Sequence, residues 1–564
     1  MKRAILVALL SVGSLGLTWG AYRVATPTEP ELPRFVPSGA LIYLEANDFS
    51  SLLGDWDKSQ EKGNWLQSKS YEVFAQSRLL LRLEAASGEF SKAAGVPIGT
   101  DLLHQVAGKQ TAFALYDIGK LQFLYITRLA SADSMQSALW QTRSQFETRT
   151  AGGVNFFYRK DPESDREVAF AVTGGHLLLA TREDLMAGAL QLLAGEKAES
   201  VAQEPWWSRL VAAAGARGDL RMVLNLEKIV PSPYFRSYWI QQNITDMKQY
   251  SAAISDLTRS GKEYREERIL LRKDGTHETP EGKGPAAVAE IINIVPANVG
   301  FYEAKAAPDA KECLELLTVK ILAPHLGPAA PDKLAPQVQL GGGETGSASD
   351  LETRIDQPPA QNSVKGDSTA PLQAVFAKNR ILAQLQLQTT ERDQAGVFVR
   401  IHSVVAFRGE SDWDEPAVRA ALVEFVRPGF TTGQLGVGWN TVSGYSVLDG
   451  LWPLAVAVRG KYLIVSDNVP LLSSALEGVG KKPSAPAAVF AAAFDHQQER
   501  ENFVTLTKLL DLGSGAPPNA GSPEFFSENI ASLNFALKAV SSEKIVIHDA
   551  ADRQTQTVVY TWAQ

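Results

Sequence analysis

AVTGGHLLLATREDLMAGAL (Ala171–Leu190) and AVRGKYLIVSDNVPLLSSAL (Ala457–Leu476) decide how this chain is built. The two stretches align without a gap, with identities at Ala171/Ala457, Val172/Val458, Gly174/Gly460, Leu177/Leu463, Leu185/Leu471, Ala189/Ala475 and Leu190/Leu476. Each reads as strand, turn, strand, helix. Apolar residues flank Gly174-Gly175 and Gly460-Lys461, and a leucine–alanine stripe follows at helical spacing. Thr181-Arg-Glu-Asp184 has the form of a capping box, and Ser466 or Asn468 takes the cap position in the second stretch. The shift from Gly174 to Gly460 is 286 positions. A repeat that long is a duplicated domain, not a solenoid unit of about 20–50 residues.

Working outward, a second correspondence appears in the same order. Pro37 and Tyr43 stand as far apart as Pro296 and Tyr302, at a shift of 259 positions (37 to 296). The second half therefore carries about 27 further residues between the two motifs, the difference between 286 and 259. The Pro-, Gly- and Ser-rich stretch Pro324–Pro371, with GGGETGSASD at Gly341–Asp350, accommodates them as a low-complexity loop.

The remaining pattern predicts hairpins interrupted by helices. Strands are expected at Ala40–Leu44, Val154–Tyr158, Val168–Val172, Ile269–Arg272 and Val558–Trp562. Thr111–Tyr116 and Leu121–Thr127 form a hairpin around Asp117-Ile-Gly-Lys120. Helices are expected around Leu52, Leu53 and Trp56, over Ser131–Thr148, around Leu314, Leu316 and Leu317, and over Gln241–Thr258, Phe503–Leu512 and Phe525–Val540. This order points to α+β, with two tandem homologous domains, each an antiparallel sheet packed with helices, after an N-terminal signal or anchor helix. The limits are 1–24 for that helix, 25–34 for a Pro-rich linker, 35–272 for the first domain, 273–287 for a second linker and 288–564 for the second domain, whose low-complexity loop spans about 324–371. At 564 residues each half is long enough to bury a sizeable core.

The N-terminus fixes a compartment. Met1-Lys2-Arg3 precedes an uncharged, mostly apolar run from Ala4 to Tyr22, the pattern of an export signal. As a helix the run reaches roughly 29 Å, the thickness of a bilayer core. A retained anchor and a cleaved signal are both open. In either case Lys2 and Arg3 stay inside and the bulk is exported. Gly16 and Gly20 add a G-x-x-x-G spacing. A net charge of -8 without a basic stripe excludes an electrostatic nucleic-acid binder. The single cysteine, Cys313, excludes an intramolecular disulfide and reads as a small core residue of a helix.

No chemistry-bearing constellation stands out, so no catalytic, cofactor-binding or metal-ligating residue is assigned and no cofactor is expected. The seven histidines, His104, His176, His277, His325, His402, His496 and His548, have no metal-ligand spacing. His176 lies in the repeat, where its counterpart is Tyr462. The glycine cluster at 341–346 lacks the G-K-[ST] ending of a phosphate loop. Asp161-Pro-Glu-Ser-Asp-Arg-Glu167 alternates acids as calcium loops do, but lacks the glycine, and its twelfth position is Val172; it reads as a solvated hairpin tip. Asp412, Asp414 and Glu415 around Trp413 suit a helix N-terminus. Trp206-Trp207 and the aromatics of Tyr234–Trp239 are core or interface residues first, and partner or lipid anchors second. Asn243-Ile-Thr245 matches a glycosylation sequon.

Three elements carry a resemblance: the V-P-x-x-x-x-x-Y strand (Val36–Tyr43), LHQVAGKQTAFAL (Leu103–Leu115) and GGHLLLATREDL (Gly174–Leu185). Together they resemble a group of exported bacterial proteins classed as a domain of unknown function. The resemblance spans much of each half, rests on turns and apolar strands, implies export, and brings no catalytic residue. The expected role is that of an exported, membrane-tethered envelope protein that binds or scaffolds without catalysis. Its partner is an envelope protein or a small apolar ligand, the cleft between the domains is the default site, and the membrane contact runs through residues 4–22. A hydrolase with a spatially assembled site and a hydrophobic-ligand or lipid carrier are the alternatives.

Overall fold

A computed structural model describes residues 31–68, 71–72, 75–76, 78–129, 137–196, 198–232, 247–273, 283–322, 370–394, 399–430, 438–442, 444–448, 454–483, 485–502 and 540–562. The expected signal or anchor, residues 25–30, the loop from 324 to 369, Tyr234–Trp239, Asn243, His277, His325 and the helices expected over 503–512 and 525–539 lie outside them. The chain divides into two compact units, Met1–Ala40 with Glu89–Ser208, and Leu41–Gly88 with Arg209–Gln564. The limits 35–272 and 288–564 follow the repeat; these units follow the packing.

The first half contributes β1 (Ile42–Ala46), β2 (Thr111–Asp117), β3 (Gln122–Arg128), β4 (Glu147–Ala151), β5 (Val154–Lys160), β6 (Glu167–Thr173), β7 (His176–Ala180), β8 (Leu220–Leu224), β9 (Tyr250–Arg259) and β10 (Glu263–Arg272). The second contributes β11 (Phe301–Ala306), β12 (Ile381–Arg392), β13 (Val399–Gly409), β14 (Trp439–Val442), β15 (Tyr445–Leu448), β16 (Leu454–Arg459), β17 (Tyr462–Ser466), β18 (Phe490–Asp495), β19 (Val540–Asp549) and β20 (Arg553–Trp562). Every pairing described below is antiparallel, which makes the fold α+β with extensive antiparallel sheet.

In the first unit the strands run in the order β4-β5-β6-β7-β3-β2. Helix α1 (Glu183–Leu193) lies on this sheet and buries Leu185, Met186, Ala189 and Leu190. In the second unit the order is β1-β8-β9-β10-β20-β19-β18-β11-β12-β13-β17-β16-β15-β14. The connectivity recurs. β12 to β17 pair as β2 to β7 do, and β11-β18-β19-β20 repeats β1-β8-β9-β10. Each of the latter runs ends on a hairpin, and the two hairpins join through β10 and β20, from Glu263↔Thr561 to Leu271↔Arg553.

The register recurs as well. Ala171, Val172 and Thr173 face Leu178, Leu177 and His176. Ala457, Val458 and Arg459 face Ile464, Leu463 and Tyr462. Gly174 and Gly460, at φ 55° and 56°, supply the left-handed residue each turn needs. β8 and β18 both lead into a side-chain cap: Asn225 accepts from the Lys228 amide at 3.3 Å, and Asp495 from the Gln498 amide at 2.9 Å. The amides of Asn225 and Asp495 donate to the carbonyls of Leu41 and Gly300, at 2.9 and 2.7 Å.

The long apolar runs of the second half have a packing reason. Helix α2 (Lys283–Ile292) and α6 (Val469–Leu476) share one core with Val404, Ala406 and Ile464. Helices α3 (Ala310–Leu317), α4 (Ala370–Lys378) and α5 (Glu415–Phe430) share another with the alternate residues Val405, Phe407 and Val465. With both faces covered there, Val404–Phe407 of β13 and Leu463–Val465 of β17 are apolar at consecutive positions. Each fully buried Val, Leu or Phe contributes roughly 1.5–3 kcal/mol. Cys313 sits in the second of these cores, where burial pushes its thiol up to about 12, so it is a packing residue.

Several expected elements are corrected. Among the described residues of the helix expected over Gln241–Thr258, the stretch from Tyr250 is strand instead: Tyr250–Arg259 is β9, with Tyr250, Ala252 and Ile254 buried in alternation. Its Ala and Ser residues leave a weak pattern that fits either period, and pairing with β8 and β10 decides for the strand. Ser131–Thr148 is not one helix either. Among its described residues Ala138–Gln141 is helical, Thr142–Gln145 forms a 3-10 turn, and Glu147 begins β4, where Thr148 and Thr150 face Phe157 and Asn155. Thr181 does not cap α1. Its hydroxyl accepts from the Phe123 amide of β3 at 2.7 Å, and the N-cap residue of that helix, Arg182, makes no side-chain cap bond. Asn468 does cap α6, accepting from the Leu471 amide at 2.9 Å. The ends of both expected linkers are ordered: Leu32–Phe35 makes a 3-10 turn with Leu32 and Pro33 buried, and Lys283–Ile292 is α2.

Candidate functional site

Three turns singled out in the sequence converge in the first unit. The β2–β3 turn brings Gly119 and Lys120, the β5–β6 loop brings Ser164, Asp165 and Arg166, and the approach to α1 brings Thr181 and Arg182. With Glu89, Phe90, Gln122 and Glu167 they line a solvent-open polar cleft of about 480 Å³.

Each wall has a local cause. Asp117 accepts from the Lys120 amide at 2.9 Å and closes the first turn, in which Leu121 takes φ 52°. Asp161 accepts from the amide and hydroxyl of Ser164, at 2.9 and 2.5 Å, and these bonds hold its carboxyl below the usual carboxylate range. The "calcium-like" acids are thus spent on folding the loop. Lys160 pairs with Asp165 at 2.6 Å and lowers that carboxyl too, while the lysine itself is raised.

Arg166 ties the cleft together. Its Nε donates to Glu89 at 2.8 Å, another guanidinium nitrogen donates to the Lys120 carbonyl, and its Cζ lies 4.8 Å from the Phe90 ring centroid. Arg182 binds Asp184 through both carboxylate oxygens and reaches Gln122 at 3.2 Å. Glu167 accepts from the Glu183 amide at 3.2 Å, placing a carboxylate on the positive end of α1. Lys120 makes no salt bridge among the described residues and leaves its ammonium available to the cleft. The two hydroxyls are committed, Ser164 to Asp161 and Thr181 to β3, and no histidine lines the walls. The arrangement can hydrogen-bond and charge-pair a small polar group.

The other sequence candidates are dispersed. His176 opens β7, donates from Nδ1 to the Gly174 carbonyl at 3.0 Å and stacks edge-on with Phe35. Its counterpart Tyr462 lies 5.3 Å beneath the Arg408 guanidinium, which donates to Glu290 of α2 at 2.9 Å. Trp207 is buried and Trp206 half-buried, with their rings 5.7 Å apart. Asp414 accepts from the Ala417 amide as an N-cap of α5, and Trp413 packs on Phe376. Among the described residues no three His, Cys, Asp or Glu side chains gather in a metal-binding group, and no helix is long and apolar enough to cross a membrane.

Sequence reading missed a row of buried charge in the second unit. On β1, β8 and β9, Glu45 faces Arg221 and Arg221 faces Asp256. Arg221 and Asp256 form two bonds of 2.7 and 2.8 Å, and Glu45 binds Arg217 at 2.7 Å and the Tyr43 hydroxyl at 2.8 Å. Burial and the Glu45 charge raise the Tyr43 phenol. Alternation along LIYLEA and DLRMVL hints at the row, but which charges meet depends on strand pairing.

No family model matches the chain. No curated protein matches it significantly. Among solved structures, crystal form I of TP0453 is 12% identical over 45% of this chain and 83% of that one, with a TM-score of 0.23. Crystal form III of TP0453 is 12% identical over 49% and 89%, with a TM-score of 0.24. Likenesses at that level support no statement about fold or role.

Proposed function

We propose that this chain is an exported, membrane-tethered envelope protein made of two tandem homologous α+β domains, and that it binds or scaffolds without catalysis. The observation that carries the reading is the recurrence of strand order and hairpin register with glycine and apolar positions kept and polar positions changed. A duplication of that kind maintains a scaffold while leaving each copy free to bind differently. Lys2, Arg3 and the apolar run Ala4–Tyr22 support export and tethering. The cleft around Lys120 and Arg166 is the place in the first unit where a polar partner group would dock.

In vivo crosslinking of the envelope fraction followed by mass spectrometry tests this. The expected result is a reproducible partner, peptides from residues 1–22 in the membrane-bound protein, and loss of that partner in a Lys120→Glu variant. Absence of any partner together with measurable turnover by the purified chain would overturn it. A carrier of a hydrophobic ligand is the second reading, and one observation favours it. Between α4 and α5, Val375, Ala420, Val423 and Trp439 line an open groove of about 700 Å³. Quenching of tryptophan emission by a long-chain fatty acid, lost in Val423→Asp, is its signature.

A further inference from the structure

The two strand runs β1-β8-β9-β10 and β11-β18-β19-β20 present a hazard to their own chain. They have the same order and the same hairpin, so a strand of one run has a ready berth in the other, within the chain or in a second copy of it. Repeated modules misassemble and swap elements by this route. Among the rows that differ between them, one is buried and charged in the first run and apolar in the second. In the first run it is Glu45, Arg221 and Asp256; at the same register positions in the second it is Ala304, Ala491 and Val546. The equivalence follows from the shared 259-position shift that also relates Tyr43 to Tyr302 and Leu41 to Gly300, and from the two caps that follow β8 and β18 by the same spacing.

We propose that this row is a pairing lock that keeps β1 on β8 and β11 on β18. Glu45 is 3% and Asp256 6% exposed, so their charges depend on protein partners. Placed beside β18, Glu45 would stand opposite Ala491 in a row that is 0 to 2% exposed at Ala304 and Ala491, with neither Arg217 nor Arg221 to meet it. A buried charge without its partner is strongly disfavoured, whereas correctly paired it is roughly neutral. β11 beside β8 would take Glu45 away from Arg217, since Ala304 brings no carboxylate. The ion pairs therefore act by penalising the wrong partner more than by strengthening the right one. This inference rests on the strand pairing and is independent of any envelope role.

Disulfide trapping on refolding of the full chain reads the pairing directly. Leu44 and Met222 face each other, and Ala492 faces Glu303. A Leu44→Cys, Met222→Cys chain reports the native arrangement, and Leu44→Cys, Ala492→Cys reports the swapped one; Cys313 is buried and mass mapping separates its products. In the native background only the first pair should close. Replacing the row with the sister residues (Glu45→Ala, Arg221→Ala, Asp256→Val) should raise the 44–492 product at least several-fold, as intrachain or interchain disulfide. Glu45→Gln with Asp256→Asn removes charge with little change in shape and should raise it by a smaller factor, even if the triple variant folds poorly. A 44–492 yield unchanged from the native background in both variants, or already high in that background, would overturn the lock.

Discussion

The hairpins β6–β7 and β16–β17 share register and turn, yet their ends do different work. In the first, His176 caps its own turn and stacks on Phe35. In the second, Tyr462 supports Arg408, whose guanidinium reaches Glu290 on α2. The helix after each hairpin differs in the same way. α6 begins on the side-chain cap of Asn468, whereas α1 has Arg182 at that position, which makes no side-chain cap bond, and its Glu183 amide donates instead to Glu167 of β6. Backbone geometry and apolar packing recur in both hairpins, while their polar contacts differ. Glycine turns and buried alternation constrain a residue from several sides at once; a surface-facing polar residue has one or two partners and can be exchanged with them.

The strongest way to break this comparison lies in the charged row. Arg221→Ala leaves Asp256 buried without its guanidinium and is expected to destabilise the second unit by about 3–5 kcal/mol in urea unfolding. Adding Asp256→Val, which copies the sister row, should recover most of that loss; if it does not, the two rows are not interchangeable packing solutions. The kept apolar positions should answer alike. Leu178→Ala and Ile464→Ala, both at 0% exposure, should each cost about 2–5 kcal/mol. Values that differed by more than that range would separate the two copies at a position the repeat equates.

Smaller effects sharpen the polar differences. Asn468→Ala should cost about 1 kcal/mol through the lost cap, while Arg182→Ala at the matching position should stay within about 0.5 kcal/mol, since its bonds to Asp184 and Gln122 are surface contacts. The smallest change is a pH effect at Glu499, where the first copy has the buried Ile229. Burial raises the Glu499 carboxyl. Its folded form holds a proton more tightly than the unfolded form, so its destabilising effect is absent below the ordinary glutamate range and grows as pH rises through the raised value. Glu499→Gln should therefore raise the Tm in mildly alkaline buffer and leave it unchanged near pH 4; an increase equal at both pH values would remove the linkage.

Much of the local structure was legible. The turns at Gly174 and Gly460, the hairpin around Asp117–Lys120, the burial of Cys313 and the acids at the head of α5 all follow from residues within a few positions of one another. The misread segments share the opposite property. Tyr250–Arg259 becomes a strand because β8 and β10 flank it, and Glu147–Ala151 because β5 does. Thr181 looks like a cap until β3 offers it a nearer amide. The polar cleft was visible only as three unrelated turns, and the ion pairs of Arg166 and Arg221 were not visible at all, since their partners lie 77 and 35 residues away.

The sequence by itself determined that this chain repeats a strand–turn–strand–helix unit and that its helices and strands alternate as an α+β protein. Those features are local: glycine frees a turn and alternation marks a face. Tertiary structure alone decided which strands meet, that β10 lies on β20, and which charges are buried together. Pairing is chosen among many distant candidates by packing and by the penalty on unmatched charge, and in a chain that repeats itself the backbone pattern cannot make that choice.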